Sequence, residues 1–145
     1  MNIQDIYSTY VETQAAANER NKATVIEALI AVSITRVVLT FDGAGDSGQI
    51  ESVTAFRGDA KAEIPSTVIS FEEVTWGRSV SCASRDIPLP NAVEDLCYGY
   101  LSQMYGGWEN NDGAFGEFLI DVANRNIEFE FNGRYTEYST ETHTL

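Results

Sequence analysis

The sequence predicts a single α+β domain: an N-terminal helix or helix pair, an antiparallel sheet of about five strands, and one further helix packed on one face. Three observations predict it. Apolar residues recur at helical spacing near the N-terminus and again from Ala92 to Met104. Elsewhere the period shifts to two, with glycine-bearing turns between the runs. No linker or internal repeat divides the 145 residues, a length that suits one domain. The expected organisation is a helical part, 1–33, followed by an α+β core, 34–145.

The first element covers residues 3–19. Ile3, Ile6, Tyr7, Tyr10, Val11 and Gln14 fall near i, i+3, i+4, i+7 spacing, and Ala15–Ala17 favours helix. The polar run "NERNK" then interrupts the stripe, which resumes over Ala23–Val32 with Val25, Ile26, Leu29 and Ile30. This fits one long helix, or two with a break near Asn21.

Alternation follows. In "RVVLTFDG", Val37, Leu39 and Phe41 share one face of a strand, and "QIESVTAFRG" reads as its hairpin partner. Between them Asp42–Gly48 forms an acidic tip with three glycines free to take positive φ. "STVISFEEVTW" adds a strand, whereas 77–90 reads as irregular chain with Pro88 and Pro90 extended. Asn91 is the expected N-cap of the next helix, with Glu94 completing a capping box and Gly106 or Gly107 ending the helix in the left-handed region.

The remainder reads as a meander. Phe118, Ile120 and Val122 alternate, "ANRN" turns the chain, and Ile127, Phe129 and Phe131 alternate again. Asn132–Gly133 is a strong two-residue hairpin signal, with a last strand from Arg134 to about Thr140. That turn would oppose Phe131 to Arg134, Glu130 to Tyr135, Phe129 to Thr136 and Glu128 to Glu137. Glu128, Glu130 and Glu137 would then share one face, a like-charge ladder that is either fully solvated or met by a positive partner.

Charge is the strongest bulk signal. Twenty-two acids against nine bases give −13, which disfavours direct contact with nucleic acid or an anionic membrane and favours cations or a basic protein surface. No run is long enough to span a membrane, and the N-terminus has no basic segment leading into an apolar one, so a cytoplasmic location is expected. Cys82 and Cys97 lack metal-type spacing and read as free, buried or half-buried thiols. Trp76, Tyr98, Tyr100, Tyr105, Trp108 and Phe115 read mostly as core.

Two motifs tempt a catalytic reading. "GDSG" at 45–48 resembles a serine-protease signature, but the single histidine, His143, lies two residues from the C-terminus. "ENNDG" resembles part of a calcium loop; with Asp112 and Gly113 at positions 5 and 6, positions 1 and 12 fall on Trp108 and Leu119, which cannot bind calcium. A non-standard Ca²⁺ or Mg²⁺ site stays open if the two glycine-rich loops meet, with Asp42, Asp46, Glu109 and Asp112 as candidate ligands. No phosphate loop or dinucleotide fingerprint is present, and the bases form no patch.

Taken together, "FDGAGDSGQIE" (41–51) and "GGWENNDGAFGEF" (106–118) resemble a family of small acidic bacterial proteins of unknown function, often associated with plasmids and mobile elements. The resemblance covers roughly residues 35–145. It implies that the two loops form one design at one end of a sheet, and by analogy that the protein inhibits a host defence complex, in an anti-CRISPR-like or DNA-mimic manner. The leading expectation is a non-catalytic acidic binding protein. Its binding residues would be Asp42, Asp46, Trp108, Glu109, Asp112, Glu117, Glu128, Glu130 and Glu137, set against a nucleic-acid-binding protein. The alternative is a Ca/Mg-binding module or metal-dependent enzyme using the two acidic loops.

Overall fold

A computed structural model describes residues 2–145. Helix α1 spans Ile3–Ala31, followed by strands β1 (Arg36–Ala44), β2 (Ser47–Arg57), β3 (Ala60–Ala62), β4 (Val68–Trp76) and β5 (Val80–Pro88). Helix α2 (Leu89–Met104) and strands β6 (Ala114–Asp121) and β7 (Asn126–Gly133) complete the chain's regular structure. One sheet has the order β3-β2-β1-β6-β7 and is antiparallel throughout; β4 and β5 form a separate antiparallel pair. No helix among the described residues is long and apolar enough to cross a membrane.

Helix α1 is unbroken, capped by Asn2, whose side chain accepts the Asp5 N–H at 2.9 Å. The polar run that interrupts its apolar stripe is a docking surface. Asn21 is buried, donating to the Glu72 carbonyl at 3.0 Å and accepting the Glu72 N–H at 2.9 Å, so its amide takes the place of a neighbour for β4. Asn18, equally buried, donates to Gly99 O at 3.1 Å and Gln103 Oε1 at 2.7 Å on α2. Buried amides persist when their bonds are filled in this way.

One core joins these parts. Val25, Ile26 and Leu29 of α1 and Leu89, Val93, Leu96 and Leu101 of α2 meet Val37, Leu39, Phe41, Phe118 and Ile120 of the sheet, and Phe71 and Ile87 of the β4–β5 pair. The fully buried residues of β1 and β6 alternate along each strand, so they share the face turned to the helices. The opposite face carries Val38, Thr40, Glu117, Leu119, Glu128 and Glu130, with Arg36 at the start of β1 and Lys61 on β3, all half-buried or exposed. No described element covers it.

Several sequence expectations change. Residues 80–88 form β5 rather than irregular chain; only Ile87 is buried there, so the strand carries no apolar alternation to read. Helix α2 begins at Leu89 after Pro88, with no side-chain cap, and Pro90 sits in the first turn where its missing N–H costs nothing; Asn91 lies inside the helix. The seven-residue tip shrinks to Gly45–Asp46, both in the left-handed region (φ 60° and 70°), because Asp42, Gly43 and Ala44 pair with Gln49, Gly48 and Ser47.

A further change alters the functional reading. Asn132 and Gly133 form no turn. Neither has a positive φ, and β7 continues through them, pairing Phe115 with Asn132 and Ala114 with Gly133. Residues 134–145 form no strand, so Glu137 opposes nothing. The fifth strand of the sheet is β3 instead. Trp76, Tyr105 and Phe115 are exposed rather than core, and Cys82 is an exposed free thiol.

Candidate interaction site

The two glycine-rich motifs meet. The Gly45 N–H donates to Asn111 O at 3.0 Å and the Asp46 N–H donates to Glu109 O at 3.1 Å, so the hairpin tip is pinned to the 105–113 loop by backbone bonds. That loop closes on itself through Trp108 N–H to Tyr105 O, Asn110 N–H to Gly107 O and Gly113 N–H to Asn110 O, each at 3.0 Å. Gly107, Asn111 and Gly113 take positive φ to allow it.

Trp108 is the wedge in this joint. A Cβ on Gly43 would stand 2.6 Å from Trp108 Cζ3, and one on Gly48 would stand 2.7 Å from the same atom. Gly43 and Gly48 are cross-strand partners, so the indole lies on a patch of bare backbone. It also meets Phe41 edge to face, with centroids 5.4 Å apart. Trp108 is therefore half-buried packing between the motifs.

Two acids at the joint, Asp42 and Asp112, are engaged by neighbouring side chains. Arg134 Nη1 and Nη2 donate to Asp42 Oδ1 and Oδ2, both at 3.0 Å, a bidentate pair, and Nη1 reaches Gly43 O at 3.2 Å. The same guanidinium lies 4.7 Å from the Phe115 ring centroid. Thr136 Oγ1 donates to Asp112 Oδ2 at 2.6 Å. Among the described residues, no three His, Cys, Asp or Glu side chains gather as a metal-binding group.

The hydrogen bonds from Arg134 hold the Asp42 carboxyl below its ordinary value of 3.8. A carboxyl with a depressed folded pKa contributes stability that is present above the unfolded value and is lost as pH falls through the folded one. The melting-temperature gap between the wild type and Arg134→Ala should therefore narrow as pH is lowered from 5 to about 2. A gap that stays constant in a series of melts would show that the pair contributes nothing.

A second group of carboxylates lies on the uncovered face of the sheet. Glu130 directly opposes Glu117 across β6–β7, and Glu128 opposes Leu119. Glu128 and Glu130 share a face as expected, but the expected pairing of Glu128 with Glu137 fails: the opposed acids are Glu117 and Glu130, an encounter the sequence reading did not include. Glu51 joins them through a bulge that the sequence does not announce. Thr40 pairs with Ser52 and Phe41 with Ile50, leaving Glu51 as the extra residue, while the Ile50 N–H donates to Tyr98 Oη at 2.7 Å. Glu51, Glu117 and Glu130 line one shallow hollow together with Thr40, Asp42 and Phe115.

No salt bridge among the described residues reaches Glu51, Glu117, Glu128 or Glu130. Arg20, Arg85, Arg125 and Arg134 are engaged with Glu72, with Glu73 and Asp95, with Glu27 and with Asp42. Glu51 and Glu130 receive only neutral donors, Gln49 Nε2 at 3.4 Å and Asn132 Nδ2 at 3.2 Å. Sequence reasoning missed Arg134 and Glu51. A lone arginine after a misread turn carried no signal, and Ile50, Glu51 and Ser52 read as regular strand, so nothing in the sequence marked the bulge.

The site residues thus fall into two groups. Asp46, Trp108, Glu109 and Asp112 build the joint, and Glu117, Glu128 and Glu130 form the sheet face, with Asp42 between them. No curated protein and no solved structure matches the chain. A family model described as a family of unknown function, DUF6878, matches residues 17–145.

Proposed function

The chain belongs to DUF6878, a family of unknown function, and we propose that this protein is a non-catalytic binding protein whose acidic sheet face meets a basic surface on another protein. One observation carries the reading: Glu117 faces Glu130 across the ladder on an uncovered face, with Glu51 and Glu128 beside them and no cation among them. Like charges directly opposite destabilise a sheet by a few tenths to about 1 kcal/mol. A cationic partner relieves that repulsion, so the arrangement is worse in the free protein than in a complex.

A basic groove that ordinarily holds nucleic acid is the partner surface of matching chemistry. The finer reading, an anti-CRISPR-like or DNA-mimic inhibitor of a host defence complex in the cytoplasm, follows by analogy from that charge complementarity. The engagement of Asp42 by Arg134 and of Asp112 by Thr136 favours binding over the divalent-metal alternative.

The test is capture of partners on the immobilised protein at low and high salt, with duplex DNA as competitor. Capture should fall steeply as salt rises, and DNA should displace the partner, because both compete for the same basic surface. Capture indifferent to both would overturn the reading. Heat on titration with Ca²⁺, Mg²⁺ or Mn²⁺ would revive the metal alternative instead.

A further inference from the structure

Strand β7 is an outer strand of the five-stranded sheet. The bond from the Arg134 N–H to Gly113 O extends the β6–β7 register beyond Gly133 and fixes its phase. In an antiparallel ladder, alternate residues turn their backbone groups to the neighbour strand. Glu128 and Glu130 therefore bond to β6, while Ile127, Phe129 and Phe131 turn N–H and C=O outward, where no described strand lies.

Exposed edges are normally blunted by charged side chains, lysine above all, or by proline, a bulge or shortness, and on β7 the only charges are Glu128 and Glu130. Strand β7 has eight residues, no proline, no lysine and an even register with β6. Its side chains differ on the two faces. Glu128 and Glu130 lie on the uncovered face, and Phe129 and Phe131 lie on the other, where Tyr105 stacks on Phe131 at 3.7 Å between centroids. Tyr105 itself is 39% exposed, which leaves an aromatic ledge beside the open edge.

We propose that β7 is a docking edge on which an extended segment of the basic partner adds as a further strand, with Lys or Arg beside Glu128 and Glu130 and apolar residues beside Phe129 and Phe131. The proposal rests on the acidic-face reading and gives it a binding mode. Main-chain hydrogen bonds along the edge supply affinity, and alternate side chains supply selectivity. Charge complementarity chooses the occupant. Edge-to-edge pairing with a second copy would bring Glu128 and Glu130 against the same residues, and the chain's own end carries Glu137 and Glu141. The glutamates thus repel self-pairing and admit a basic strand.

The probe is a heptapeptide alternating lysine and valine, read by amide NMR on the full chain. Three control peptides accompany it: the same composition in blocks, glutamate in place of lysine, and N-methylation at alternate amides. The alternating peptide should shift the amides of Ile127, Phe129 and Phe131 and slow their exchange with solvent. Blocking, N-methylation and the combined substitutions Glu117→Gln, Glu128→Gln and Glu130→Gln should each weaken it at least tenfold, and the glutamate peptide should not bind.

If the block or N-methylated peptide binds as tightly as the alternating one, strand addition falls while the acidic face stands as the site. A dimer of the free protein that protects the same three amides assigns the edge to a second copy and also overturns the proposal. Absence of alternating-peptide binding overturns strand addition; if partner capture is also indifferent to salt, the acidic-face reading falls with it.

Discussion

Gly116→Ala is expected to destabilise the protein by about 3 kcal/mol or more, enough to leave it largely unfolded on warming. Gly116 pairs with Phe41 on one side and Phe131 on the other. An added Cβ would overlap the Glu130 carbonyl oxygen and stand 2.8 and 2.9 Å from two atoms of the Phe41 ring. The carbonyl is backbone, held in the β6–β7 ladder, and no rotamer relieves the overlap. Phe41 cannot retreat easily, since it also meets Trp108, Phe118, Phe129 and Phe131. Gly77→Ala is the matched control. Its Cβ meets nothing within 4 Å and its φ is not positive, so the change should stay within about ±0.5 kcal/mol. Melts followed by circular dichroism check both. A Gly116→Ala protein melting with the wild type would contradict the packing of the aromatic cluster.

The second large effect combines two signs. Replacing Glu128 and Glu130 together by lysine should raise stability by a few tenths to about 1 kcal/mol, because the carboxylate of Glu117 then faces an ammonium group. The same protein should lose capture of its basic partner by on the order of a hundredfold at low salt, as expected where interfacial charge is reversed rather than removed. Stability and binding moving in opposite directions is the signature sought. Carboxylates present only for solubility would give the stability change with no loss of capture. Denaturant unfolding and a binding titration on the same preparation separate the outcomes.

Much of this fold was legible because burial imposes a period. Val37, Leu39 and Phe41 alternate in the sequence and are buried in the structure, as are Phe118 and Ile120. The failures occurred where tertiary partners override local preference. At Asn21 one long helix and a break both stayed open, because its partner, the backbone at Glu72, lies 51 residues away. Strand β5 buries too little to show a pattern. Asn132–Gly133 carries the local chemistry of a hairpin turn, but β6 is long enough to pair through both residues. Arg134 is then held by Gly113 and Asp42. Propensity is a weak prior against such anchors.

The candidate site divides along the same line. The resemblance implied that the two loops belong together, and their glycines now have steric reasons: Gly43 and Gly48 clear space for Trp108, and Gly45, Gly107 and Gly113 take positive φ. The glutamate face was half legible. Period two placed Glu128 and Glu130 on one side, while Glu117, the partner of Glu130, and the bulged Glu51 depended on a register that only the assembled sheet fixes.

The most direct measurement is amide hydrogen exchange of the protein alone and bound to the partner captured at low salt. The account expects new protection at Ile127, Phe129 and Phe131, and none on the exposed surface of α1. Protection confined to α1 or the β4–β5 pair, with the outward amides of β7 exchanging as fast as in the free protein, would contradict it.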